Sequence, residues 1–215
     1  MNLESIFAVP LGVSENTKHK TFEKKLVERC KKLKKQIKRG GDNWKVGTYN
    51  TCSTHNIHTD KTFEELNQWV FNEIMEFANL IGYHKKGITC DASWFNFYKQ
   101  YDYQEEHDHF ALHDIVAVYF LHGSLDTGNL ILKSPLPHER TSVELIPNNA
   151  FTFNTYTIEP KPGKLVIFKS NLIHSVSQNR TKKDRISLAY NFSVKWKNFI
   201  FYFLYLEQVT LCLVL

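Results

Sequence analysis

The sequence predicts a mainly β protein with N-terminal helices, a helix-buttressed β-sandwich or jelly roll, and three observations carry that prediction. Two stretches in the first third place apolar residues three and four apart, the spacing of an amphipathic helix. From about Thr89 onward, short runs rich in β-branched and aromatic residues replace them. Turn-forming clusters separate those runs at regular intervals, the pattern of many short strands packed in two layers.

In chain order, the apolar run 6–9 reads as a strand. Phe22, Leu26, Cys30, Leu33 and Ile37 then mark a helix that Gly40-Gly41 stops. Lysines cover its outer face, and with few arginines or aromatics among them they read as a solvated surface, without a strong nucleic-acid signal. A second helix opens at Thr62, with Glu65 three residues on as a capping box. It carries Phe63, Leu66, Val70, Ile74 and Phe77 until Gly82. Strands are expected at 93–98, 115–121, 130–132, 142–146, 151–153, 165–168, 174–176 and 186–192, set off by turns such as Asp126-Thr127-Gly128-Asn129 and Pro160-Lys161-Pro162-Gly163. The organisation expected is a single domain: an N-terminal strand and two supporting helices over 1–88, a β core over 89–196, and an apolar tail of unassigned role over 197–215.

A chain of 215 residues with 14% aromatic and 23% charged residues can bury a sizeable core, which excludes a disordered protein. Cys30, Cys52, Cys90 and Cys212 are scattered, with no CxxC pair. That argues against a disulfide framework or structural zinc and makes a reducing, cytoplasmic setting the expectation. The N-terminus has no basic segment followed by a long apolar run. The stretch 199–215 is apolar, but Glu207 and Gln208 interrupt it and it is short for a membrane span.

The chemistry-bearing pattern is His107-Asp108-His109, answered by His174 and then by Arg185-Ile186-Ser187. Residues two apart on a strand share a face, so His107 and His109 would point one way, as would Arg185 and Ser187. Neutral imidazole ligates iron, zinc, copper and nickel, and three such groups can hold one ion while leaving open positions. From 185 to 191, Arg, Ser, Ala and Asn alternate with Ile186, Leu188 and Tyr190. Arg185 therefore either faces solvent or enters a cavity where its guanidinium can grip a carboxylate in bidentate fashion.

Taken in order, Trp94-Phe95-Asn96, His107-Asp108-His109, the strand 116–121, Gly128-Asn129-Leu130, the run 160–168, His174-Ser175-Val176 and Arg185-Ile186-Ser187 resemble the Fe(II)- and 2-oxoglutarate-dependent oxygenases. The likeness is nearest to small oxygenases of this kind from phage and marine bacterial genomes, and it covers about 91–194. The resemblance implies a double-stranded β-helix (jelly roll, cupin-like) and hydroxylation of a C–H bond with release of succinate and CO2. It makes His107, His109 and His174 the iron ligands. Arg185 would bind the distal carboxylate of 2-oxoglutarate, and Ser187 would support it; Asn96, Tyr98 and Tyr119, on expected sheet strands, either serve the core or line the cofactor cavity. In the wider superfamily the second ligand is usually a carboxylate. Here His109 stands in that position, and Asp108 is the alternative second ligand.

Two other readings stay open at this stage. One is a cupin-like three-histidine metal hydrolase or isomerase; the other is a non-catalytic module that docks through its basic helix. His113, His122 and His138 read as surface or hydrogen-bonded residues, and 49–60 and 135–141 as segments bordering the cavity mouth. The primary substrate would be a protein side chain, a nucleobase or a small metabolite, and homodimer formation is left open.

Overall fold

The computed structural model describes residues 1, 7–41, 44–83, 87–136 and 154–195. The helical part consists of β1 (Leu11–Glu15), α1 (His19–Gln36), β2 (Tyr49–Asn50), two 3₁₀ turns at Ile57–Thr59 and Lys61–Phe63, and α2 (Glu64–Leu80). There follow β3 (Gly87–Tyr98), β4 (Gln104–His107), β5 (Ile115–His122), β6 (Leu130–Lys133), β7 (Thr155–Ile158), β8 (Lys164–Lys169), β9 (His174–Val176) and β10 (Arg185–Lys195).

These strands form a double-stranded β-helix. A major sheet runs in the order β1-β8-β5-β10-β3-β2 and a minor sheet in the order β4-β9-β6-β7. The core is split by the alternation of side chains along the major sheet. Phe95, Ala117, Tyr119, Leu121, Ile167, Leu188 and Tyr190 face outward, where Phe22, Leu26, Leu66, Val70 and Ile74 of the two helices cover them. Val116, Val118, Phe120, Val166 and Phe168 face inward and meet Leu130, Leu132, Ile158 and Val176 of the minor sheet. Strand β5 is apolar on both faces because both are covered, and only its final residue, His122, is not fully buried.

Several sequence expectations need correction. The first strand is not at 6–9: Ile6 lies outside the described residues, and Phe7 and Val9 are exposed. Pairing with β8 begins at Leu11, just past Pro10, which has no N–H to contribute to a ladder. The first helix ends at Gln36, since Ile37 is already extended. Gly40 serves a close approach, because a Cβ there would lie 1.8 Å from the Cys52 carbonyl oxygen. The second helix starts at Glu64 with no side-chain cap; the cap lies one turn earlier, where the Asp60 side chain accepts from the Thr62 N–H and opens the 3₁₀ turn Lys61–Phe63. The strands expected at 142–146 and 151–153, and the tail 197–215, lie outside the described residues. Among the described residues, no helix is long and apolar enough to cross a membrane.

Leu188 sits in the middle of β10, fully buried between Phe95 of β3 and Tyr119 of β5. Leu188→Ala is expected to lower the unfolding free energy by roughly 2–5 kcal/mol, the usual range for a cavity of that size, and urea denaturation measures it.

Candidate active site

His107 closes β4 and is the cross-strand partner of His174, which opens β9. Their rings stand 4.2 Å apart. His109 joins them from outside the sheet. The strand ends at His107, and the chain then turns so that the His109 N–H donates to the Ser170 carbonyl at 2.9 Å. Its ring lies parallel to that of Trp94, 6.0 Å away and 8° off parallel. The alternation expected of a strand is thus not what brings the two histidines to one side; a turn anchored on the loop after β8 does so. One ring nitrogen from each of His107, His109 and His174 falls within 4.8 Å of the others, a spacing that could hold a metal ion.

Asp108, the alternative second ligand, does not join this group. It is exposed, and its carboxylate accepts from the Phe110 N–H at 3.1 Å, a turn that fixes the start of the following loop.

Two of the imidazoles have a defined tautomer. Nδ1 of His107 is 2.8 Å from the Glu105 carbonyl oxygen, and Nδ1 of His174 is 2.9 Å from that of Leu172. A carbonyl only accepts, so each Nδ1 carries the proton and each Nε2 keeps its lone pair, the arrangement typical of ligating histidines. Nε2 of His109 is buried with no hydrogen-bond partner among the described residues. Burial, reinforced by the neighbouring His107, pulls the pKa of His174 down to about 3 and that of His109 to about 4. Burial lowers His107 as well. All three rings are therefore uncharged at neutral pH.

The turn that leads out of β8 supports two of these rings. Ser170 holds the His109 backbone, and the Leu172 carbonyl, two residues on, orients the His174 ring.

On the inward face of β10, Arg185, Ser187 and Ala189 line one cavity with the three histidines, together with Trp44, Trp94, Asn96, Tyr98 and Gln104. Arg185 is 0% exposed. Its Nη1 donates to the Gly128 carbonyl at 2.7 Å, and its guanidinium lies over the rings of Tyr98 and Phe120. Nε and Nη2 have no hydrogen-bond partner among the described residues. Among the described residues, no carboxylate lies within ion-pair distance of it. Burial lowers its pKa, but a guanidinium keeps its charge in a protein.

Asn96, Tyr98 and Ser187 thus lie where the sequence suggested. Tyr119 does not. It points to the opposite face of β5, where its hydroxyl meets Nδ1 of His19 at 2.8 Å. Val118 and Phe120 hold the inward positions, so the strand's own alternation assigns Tyr119 to the helix side.

Sequence reasoning missed Trp44, Gln104 and the Gly128 carbonyl. Gln104 and His107 are three apart yet face the same cavity, because the register shifts between them. No period-two pattern reveals such a pair. Of the segment 49–60, His58 and Asp60 line a separate cleft of about 540 Å³ against α2 and not the mouth of this cavity. His113 and His122 pair with Asp91 and Glu23 as hydrogen-bonded residues, and His138 lies outside the described residues.

Residues 92–191 match the family model described as "Putative 2OG-Fe(II) oxygenase". Over these residues, just under half of the chain, the sequence matches the 2OG-Fe(II) oxygenase superfamily. Its class is that of 2-oxoglutarate-dependent oxidoreductases, which work with Fe(II), 2-oxoglutarate and O2. Solved structures share the architecture of this oxygenase core. A Pseudomonas putida prolyl-4-hydroxylase superposes with a TM-score of 0.62 at 13% identity, over 87% of this chain and 94% of that one. The epimerase SnoN, solved with Fe3+, alpha ketoglutarate and nogalamycin RO, gives 0.63 at 12% identity, over 86% and 79%. A Trichoplax adhaerens prolyl hydroxylase, bound to a hypoxia inducible factor peptide fragment, gives 0.58 at 17% identity, over 84% and 83%. At these identities the likeness is one of fold. No curated protein matches the sequence.

Two expected outcomes test this geometry. The folded state holds the buried histidines neutral, whereas an unfolded imidazole protonates near its ordinary value of about 6.5. The stability they permit is therefore fully present above that pH and is lost as pH falls toward about 4 and about 3. Metal-free protein should lose unfolding free energy between pH 6.5 and 4, and His174→Phe should flatten that slope. Tyr119→Phe should cost about 0.5–1.5 kcal/mol of stability through its lost hydrogen bond, with 2-oxoglutarate affinity unchanged in calorimetry.

Proposed function

We propose that the protein is an Fe(II)/2-oxoglutarate-dependent dioxygenase that hydroxylates a C–H bond of its substrate, with His107, His109 and His174 holding the iron. Arg185 binds the distal carboxylate of 2-oxoglutarate, and Ser187 supports it. In this reading residues 89–196 are the catalytic core and 1–88 its supporting strand and helices.

The observation that carries the proposal is a fully buried, always-charged guanidinium that lacks an acidic partner among the described residues and shares a cavity with three uncharged imidazoles. An unpaired buried charge costs several kcal/mol, so the site calls for an anion. A dicarboxylate that chelates a metal at one end and reaches Arg185 at the other meets that call. A hydrolase or isomerase that activates metal-bound water has no need of a second, buried cation, which is why the oxygenase reading is preferred to the cupin-like one.

The donor set fits Fe(II). Three borderline nitrogen donors suit that ion, two Nε2 lone pairs are fixed by backbone carbonyls on the far side of each ring, and Nε2 of His109 has no hydrogen-bond partner among the described residues. When bound, the iron supplies activation of O2 coupled to decarboxylation of 2-oxoglutarate to succinate and CO2. The chain's own part is to hold the three rings in one tautomeric state and to orient the dicarboxylate through Arg185. The apolar residues Val116, Val118, Leu130 and Val176 keep water from the reacting groups. With His109 in place of a carboxylate, the three protein ligands are neutral and the ion retains its full double charge. Hydroxylase neighbours, one of them solved with a peptide, support hydroxylation as the outcome and a protein side chain as one substrate class to test first.

The test is calorimetry with Mn(II) as a redox-silent stand-in, followed by a succinate-release assay with Fe(II). His174→Ala should lose stoichiometric metal, and His109→Asp should keep it. Arg185→Ala should bind 2-oxoglutarate at least about tenfold more weakly, equivalent to roughly 1.4 kcal/mol, with metal affinity little changed. Arg185→Lys should recover only part of the loss, since an ammonium lacks the bidentate fork. Wild-type protein that binds Mn(II) but not 2-oxoglutarate would overturn the proposal in favour of the cupin-like reading.

A further inference from the structure

The cavity holds a second buried group with unmet hydrogen bonds. Gln104 is 3% exposed, and both its Nε2 and its Oε1 are buried with no partner among the described residues. It lies on β4, three residues before His107 and opposite Val176 of β9, and lines the same cavity as Arg185, Ser187 and Tyr98. A carboxamide with both ends desolvated and unpaired destabilises a protein where an apolar side chain of the same length would not. A residue kept at such a cost in a ligand-free cavity points to a ligand that satisfies it.

We infer that Gln104 is a further binding residue for the dicarboxylate cosubstrate, an inference that rests on reading the cavity as a 2-oxoglutarate site. The hydrogen-bond inventory supports it. A carboxylate offers about four acceptor positions, so it can take a bidentate Arg185 and still accept from the Gln104 Nε2–H. Arg185 has five N–H groups. One goes to the Gly128 carbonyl, and a bidentate carboxylate takes two at Nε and Nη2, the atoms that lack a partner among the described residues. One bound carboxylate thus answers the unmet donors of both side chains. The amide's neutrality matters, because an acidic residue at 104 would itself pair with Arg185 and occupy the anion's place.

The experiment uses the full chain loaded with Mn(II), titrated with 2-oxoglutarate by calorimetry and melted with and without it. Gln104→Met removes the amide and keeps the length. It should melt at or above the wild-type temperature in the absence of 2-oxoglutarate and bind it about tenfold more weakly, the factor for one lost charge-assisted hydrogen bond. Adding 2-oxoglutarate should also raise its melting temperature less. Gln104→Glu should bind about a hundredfold more weakly, and Gln104→Met should leave Mn(II) affinity unchanged. If wild-type protein binds 2-oxoglutarate and Gln104→Met binds it equally well, Gln104 has no part in the subsite and this inference alone falls. If wild-type protein binds Mn(II) but no 2-oxoglutarate, the proposed function falls and takes this inference with it.

Discussion

The antiparallel pairing of β10 with β3 along one edge and β5 along the other is the interaction on which the rest of the molecule depends. It places an eight-residue stretch, buried throughout, at the centre of the major sheet. Because successive residues on a strand face opposite ways, that stretch must serve two environments at once. Ile186, Leu188 and Tyr190 go to the core under the helices, and Arg185, Ser187 and Ala189 go to the cavity. A slip of one residue would exchange the two sets, putting a guanidinium into the helix-side core and leucine beside the histidines. The register is therefore fixed by the helices as firmly as by the sheet.

The two sides of the sheet carry different energetic burdens. On the helix side the side chains are apolar and closely packed, and the occasional polar group, such as the Tyr119 hydroxyl or the Tyr190 hydroxyl, finds a partner in His19 or Asn67. Among the described residues, unpartnered buried polar atoms gather on the cavity side at Gln104, His109 and Arg185, whereas on the helix side the His19 Nε2, without a hydrogen bond, still lies 3.4 Å from a Glu23 carboxylate oxygen. Such a distribution is what a binding site imposes: stability generated by one layer offsets local instability tolerated in the other. It also explains why α1 and α2, which contribute nothing to the cavity, are still necessary to it.

Much of this was legible in the sequence. The two helices follow from their apolar spacing, and the long strands from runs such as Val116 to Leu121, since burial on both faces leaves a strong signal. The three histidines and Arg185 were legible as residue types in an order. What the sequence could not supply was the path that joins them. His109 reaches its place by a turn after β4, and Gln104 by a register shift within it, and both depend on tertiary contacts with the segment after β8 and with β9. The short strands Tyr49–Asn50 and Thr155–Ile158 carry few apolar residues and escape any periodicity test. Tyr119 is the opposite case. The alternation needed to place it was present, and a residue type attractive for binding outweighed it.

The turn between β8 and β9 has a consequence for how this protein can vary. Surface loops commonly accept insertions and deletions, because little depends on their length. Here the backbone of one histidine and the ring of another are both held within three residues of that turn, at Ser170 and Leu172. Adding or removing a single residue would displace two imidazoles in different directions and separate atoms that now sit within 4.8 Å. The loop's sequence is free to drift wherever side chains face solvent, but its length is as constrained as that of any strand in the core.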